Sequence, residues 1–275
     1  MYDLTRRELL KAGGLGLASL MLPRWLVRAV GEAQLGDRCP KTLVLVMLGG
    51  GNDGLNTVAP LADPLYAKLR PTLAIPRRDL LALNDSVGFH PGLRKLRDLF
   101  EKGRVAVLQN VGYPHQNHSH FASMEIWQTG RTDGVIHDGW VGRTLDRCGC
   151  DGPLHSLAFG SEIPLALWGE GAGVLTLDNP GAFELARDAR HKGDSDNIFH
   201  ALRAVYAEPR AGEAEYVRAR SMELLGQVDR VKSLTGAPPP ATGYPKGALP
   251  DGLRFIANAI EADLGARVYM IGLGG

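Results

Sequence analysis

Residues 41–56 read KTLVLVMLGGGNDGLN. Residues 42–48 form an unbroken run rich in Val and Leu, the pattern of a strand buried on both faces in a parallel sheet. In open α/β sheets the ligand crevice lies at the carboxyl ends of the strands. This strand runs into Gly49, Gly50 and Gly51, then Asn52, Asp53 and Gly54. Glycines let the backbone turn sharply and let a ligand come close, which makes Asp53 a hard oxygen ligand on a rigid edge. Two other readings fit the same residues. Gly49, Gly51 and Gly54 have the spacing G-x-G-x-x-G, but a dinucleotide fold needs a helix to begin there and an acidic residue about 20 positions on. Pro60 follows too soon for that helix, and the expected acidic position falls on Leu73, Ala74, Ile75 and Pro76. A glycine-rich turn whose Asp bonds its own backbone fits as well.

The chain has 275 residues and 44% hydrophobic content, enough for one substantial core or one core plus a smaller lobe. A formal charge of +1 leaves no nucleic-acid footprint. No apolar stretch reaches the roughly 20 residues that span a membrane. Thr5, Arg6, Arg7, Glu8, Leu9, Leu10 and Lys11 match the twin-arginine export pattern, with Leu9 where Phe is common. A short, glycine-diluted apolar region over residues 12–22 follows. Gly31 and Ala33 suit a signal peptidase, so residues 1–33 are expected to be a signal peptide and residues 34–275 the folded part. This implies the twin-arginine translocase as a partner and a periplasmic or extracellular destination. An amphipathic first helix with a chance Arg-Arg pair is the alternative. Of the cysteines, Cys148 and Cys150 are too close for an easy bridge, which leaves Cys39 to one of them as the simple disulfide. No zinc-type cysteine spacing exists.

After the glycine turn, Pro60, Pro64, Pro71 and Pro76 punctuate a loop-rich stretch with room for one short helix around residues 65–69. Pro91 then suits a first helical position, Leu93, Leu96, Leu99 and Phe100 share a face, and Gly103 closes the helix. Residues 105–111 read as a second buried strand, making a βαβ unit with the first and therefore parallel and close to it. At its carboxyl end lies GYPHQNHSHFASMEIWQTGR, residues 112–131. His115, His118 and His120 form a ligand-like cluster there. Phe121, Ala122, Met124, Ile126 and Trp127 predict a helix that is apolar nearly all round and hence buried, with its amino end in the same crevice as Asp53. A hydroxyl at such an end sees free N–H groups and the positive end of the helix dipole, which makes Ser119 a candidate nucleophile. The plainer reading is that Ser119 or Asn117 is the N-cap.

Further on, the spacing predicts helices over residues 138–147 with Asp138 as cap, 197–206 and 214–234, and strands over 154–159 and 174–177. Pro238, Pro239 and Pro240 form a stiff connector. Trp140 and Trp168 read as core. Leu253, Ile256, Ala257, Ile260 and Leu264 mark one face of a further helix, and residues 267–273 a last strand that runs into Gly274 and Gly275.

The segments LVLVMLGGGNDGLNTVAP, VGFHPGL, VAVLQNVGYPHQNHSHFASMEIWQTG and GWVGRTLD, together with the export signal, resemble the family called domain of unknown function 1501. That family is similar to the alkaline phosphatase and sulfatase superfamily, and the likeness runs from about Lys41 to Gly275. It implies an α/β fold with a mostly parallel sheet and helices on both faces. It implies a hydrolase of small phosphate or sulfate esters that depends on a divalent metal, zinc first, with manganese or calcium as alternatives. Asp53 matches the metal-binding Asp after the first strand, with Asn52 assisting. Ser119 matches the nucleophile, with His118 and His120 orienting it or binding oxyanion, and Thr129, Gly130 and Arg131 resemble the end of the nucleophile helix, which favours Ser119 over Ser123. Relatives carry further Asp and His ligands beyond the point where this chain stops. The expectation is therefore a chain cut short, incomplete at the C-terminal end of its fold and inactive as it stands. A cell-envelope binding protein that keeps the fold without the chemistry is the alternative.

Overall fold

The computed structural model describes residues 41–49, 52–116, 118–134, 137–148, 154–171, 173–178, 195–209, 211–235 and 243–274. The expected signal peptide, Cys39, Cys150, Asn117, Gly50, Gly51 and the three prolines 238–240 lie outside these residues. The fold is α/β, as the apolar patterning predicts. A four-stranded parallel sheet, a three-stranded antiparallel sheet and eight helices occur among the described residues. Among the described residues, those within 41–45 and 137–270 form one compact unit, and those within 46–134 and 271–274 a second.

The parallel sheet has the order β1 (Leu43–Leu48), β7 (Val268–Leu273), β5 (Ser156–Phe159), β6 (Val174–Leu177). Ser156 pairs with Val174 on one side and with Val268 on the other. Residues Val268, Tyr269, Met270 and Ile271 are buried in succession, the mark of a central parallel strand with both faces covered. The first strand was expected to carry that mark. It lies instead at the sheet edge, where Leu43, Val46 and Leu48 are each more than two-fifths exposed, because an edge strand is covered by one neighbour only. Within the first unit, α8 (Ala248–Glu261) buries Gly252, Phe255, Ile256 and Ala259. This face is rotated from the predicted one, and Ile260 is left exposed. Phe255 meets Phe159 edge to face at 5.8 Å. Helices α6 (Ser195–Ala207) and α7 (Glu213–Thr235) share a cluster of Phe199, Leu225 and Val228, and Arg230 of α7 donates to the carbonyls of Asp263 and Leu264 just past α8.

Helix α5 (Trp140–Cys148) packs on the segment 165–169 without side chains between the two backbones at its glycines. A Cβ on Gly142 would stand 1.9 Å from the carbonyl oxygen of Trp168, and one on Gly139 2.1 Å from that of Leu165. Asp146 fastens the same contact by accepting from the N–H groups of Glu170 (2.8 Å) and Gly171 (3.0 Å). Asp138 precedes the helix and is held by Arg143 at 2.8 Å. Trp140 and Trp168, expected in the core, are 38% and 48% exposed; the indole N–H of Trp168 donates to the Ile163 carbonyl, which anchors the ring at its polar end.

In the second unit α1 (Gly54–Thr57) is a single turn, and β2 (Val58–Pro60), β3 (Leu81–Ala82) and β4 (Val87–Phe89) pair antiparallel in the order β2-β4-β3. These strands are two or three residues long, too short to show the alternation that marks a half-buried strand. The expected short helix is α2 (Pro64–Leu69), capped by Asp63. Its Tyr66 packs with Ala59 and Leu80. The predicted helix from Pro91 is a 3₁₀ turn leading into α3 (Arg94–Glu101), and Gly103 closes it at φ 67°. The predicted strand over residues 105–111 does not form a ladder. Val105 and Val107 are half-buried while Ala106 and Leu108 are exposed, so the alternation exists, but the neighbour of β1 is β7 and no pairing of 105–111 with it is made.

Candidate functional site

Helix α4 (His120–Thr129) begins where the sequence predicts. Ser119 is its N-cap, with extended backbone and a side-chain oxygen that accepts from the Ala122 N–H at 3.3 Å. Gly130 ends the helix in the left-handed region at φ 66°, its N–H donating to the Ile126 carbonyl. The expected burial of the whole helix does not hold. Phe121 is 90% exposed and Trp127 49% exposed, because no described element covers those faces; only Thr129 is fully buried.

His115 and His118 both have φ 59°, a left-handed conformation that costs a non-glycine residue roughly 1–2 kcal/mol. His118 and His120 then line a cleft of about 630 Å³ together with Gln116, Ser123, Met124 and Trp127, and with Met47, Leu48 and Gly49 at the end of β1. His115 is not among its lining residues. The hydroxyls of Ser123 and Tyr113 lie 2.6 Å apart. Ser123 therefore presents a held hydroxyl to the cleft, while Ser119, one turn earlier, spends its oxygen on the helix end.

Asp53 and Asn52 line a second cleft of about 380 Å³, with Asn56, Thr57, His90, Leu93 and Leu48. The sequence placed Asp53 and the start of α4 in one crevice; the structure gives two clefts that have Leu48 in common. Arg70 spans Asp53, one guanidinium nitrogen donating to Oδ1 at 2.9 Å and the other to Oδ2. This hydrogen-bonded pairing holds the Asp53 carboxyl below its ordinary value against the opposing effect of desolvation, with smaller help from the N–H groups of Asn56 and Leu55. Arg70 is correspondingly pushed up. The Asp53 carbonyl accepts from the N–H and hydroxyl of Thr57, each at 2.9 Å. Tyr66 and Asn56 brace the wall, Tyr66 donating to Asn56 Oδ1 at 2.6 Å and accepting from the Ile75 N–H.

A metal reading needs several donors converging on one point. Among the described residues no three His, Cys, Asp or Glu side chains do so, and both oxygens of Asp53 already face a guanidinium. Arg70 was not foreseen because it lies 17 residues from Asp53 across a proline-punctuated loop. Met124 and Trp127 were within reach, since with His120 and Ser123 they complete the i, i+3, i+4, i+7 spacing of one helical face.

Compared with family models, curated proteins and solved structures, this chain matches none of them.

Proposed function

We propose that this chain is an exported protein whose α4 cleft receives the oxyanion of a phosphate or sulfate ester, in the manner of hydrolases of such esters. The observation that supports this most is the placing of His118 and His120 on either side of the N-cap Ser119, both lining one cleft at the amino end of a ten-residue helix. Imidazole N–H groups and the free N–H groups of a helix start are suited to an anion. In this reading Ser119, which caps α4 between the two histidines and is not itself a lining residue of the cleft, is the group that attacks phosphorus or sulfur. The resemblance to the family called domain of unknown function 1501 adds a divalent metal at Asp53 and Asn52, zinc first, then manganese or calcium. The second reading, a cell-envelope binding protein without chemistry, is favoured by Arg70, which neutralises the carboxylate that a metal would use.

The test is a titration of the purified protein with 4-nitrophenyl phosphate and 4-nitrophenyl sulfate, beside a measurement of bound zinc, manganese and calcium. Saturable binding is expected, weakened roughly tenfold or more in a His118→Ala, His120→Ala double variant, since each removes a hydrogen bond to a charged group. Binding that ignores the double substitution would sink the proposal. Release of 4-nitrophenol by metal-loaded protein selects the hydrolase, and binding without release selects the binding protein.

Export through the twin-arginine translocase to the periplasm or the exterior belongs to the same proposal and rests on Arg6 and Arg7. Replacing both with Lys is expected to retain the protein in the cytoplasm with residues 1–33 attached. A doubly substituted protein that is still exported and trimmed would show that another route is used.

A further inference from the structure

The cleft-facing side of α4 is not uniform. His120 and Ser123 supply an imidazole and a hydroxyl in its first turn, whereas Met124 and Trp127 supply a thioether and an indole further along. From His120 to Trp127 the helix advances about 10 Å at 1.5 Å per residue. Gln116 and His118, just ahead of the helix in sequence, add to the polar part of the lining, and Met47 and Leu48 of β1 add to the apolar part. Trp127 keeps half its surface open to the cleft side and solvent. Its flat ring is available to stack, and the two methionines that share the cleft lining, Met47 and Met124, can adapt to different ring outlines.

We propose that the cleft selects esters of a flat apolar alcohol, an aryl or fused-ring alcohol, over esters of small alcohols. This rests on the reading that the oxyanion sits at His118 and His120. A phosphate group held there leaves the remainder of a 10 Å stripe for the alcohol part. A ring of naphthyl size reaches Met124 and Trp127, and a methyl group does not. Burying the larger apolar area favours the aryl ester by roughly tenfold or more in Kd.

The experiment is calorimetric titration of the full chain with 1-naphthyl phosphate, methyl phosphate and 1-naphthol. The variants are Trp127→Ala, Trp127→Phe and the His118→Ala, His120→Ala pair. The expected result is that 1-naphthyl phosphate binds at least roughly tenfold tighter than methyl phosphate. Trp127→Ala should bring it close to methyl phosphate, and Trp127→Phe should keep most of the preference. Equal affinity for the two esters in the unsubstituted protein, or a preference that survives Trp127→Ala, overturns the selectivity while leaving the oxyanion reading in place. If neither ester binds, or if 1-naphthol binds as well as its phosphate and the histidine pair has no effect, both fall together.

Discussion

Gly142→Ala is expected to unfold the unit that contains the parallel sheet, or to leave it barely folded. The added methyl would lie 1.9 Å from the Trp168 carbonyl oxygen, 2.3 Å from its carbon and 2.7 Å from the Gly169 nitrogen. All three are backbone atoms, so no rotamer change relieves the overlap. Either α5 withdraws or the segment 165–169 does. Withdrawal uncovers Val141, Leu145 and Leu167, which are buried, and breaks the bonds from Asp146 to Glu170 and Gly171. Overpacking a core with side-chain freedom to adjust costs about 1–3 kcal/mol. A rigid backbone contact belongs at or above the top of that range, a large share of the about 5–15 kcal/mol that holds a typical domain together. Urea unfolding followed by tryptophan fluorescence measures it, with Gly54→Ala as the comparison because nothing lies within 4 Å of a Cβ there. A Gly142→Ala protein as stable as the unsubstituted chain would show that α5 and the 165–169 segment are not packed this closely.

The second large effect separates two roles of Ser119. As N-cap, its oxygen satisfies the Ala122 N–H, and replacement by Ala should cost about 1 kcal/mol of stability. Asn is as good a cap as Ser, so Ser119→Asn should leave the unfolding midpoint nearly unchanged. As nucleophile, Ser119 cannot be replaced by either. In protein that turns over 4-nitrophenyl phosphate, both substitutions should cut the rate by on the order of 10⁴-fold or more. Ser123→Ala, which breaks the contact with Tyr113, should have the smaller effect. If Ser119→Asn keeps full turnover and Ser123→Ala loses it, the attacking hydroxyl is the one that lines the cleft, and Ser119 is a cap alone.

The helices were read well because their signals are local. Pro91 and Gly103 bracket α3 and its leading turn, and Ser119 with Gly130 brackets α4, each through backbone groups a few residues apart. Strand existence was read well only where a partner exists. β5, β6 and β7 fall inside their predicted ranges. Residues 105–111 have the same composition and form no ladder, since hydrogen bonding across a sheet depends on a distant segment that periodicity does not name. The same limit applies to the site. Asp53, Ser119, His118 and His120 stand out by their neighbours in sequence, whereas Arg70 reaches Asp53 through a fold in the chain. The expected burial of β1 and α4 failed together for one reason: apolar composition states what a segment would gain from being covered, and does not supply the cover.

Strand β1 carries six residues, LVLVML, with neither a charge nor a proline among them. Among the described residues nothing pairs with its outer side. Natural edge strands are usually guarded by lysines, prolines or bulges that make a second chain a poor fit, and short uncharged segments of high β-propensity are the ones that stack into fibrils. Concentration therefore becomes a variable of the molecule's own behaviour. Two chains meeting along β1 would extend each other's sheet through a strand whose Met47 and Leu48 also line the α4 cleft, so loss of protein from solution and loss of ligand binding would rise together with concentration.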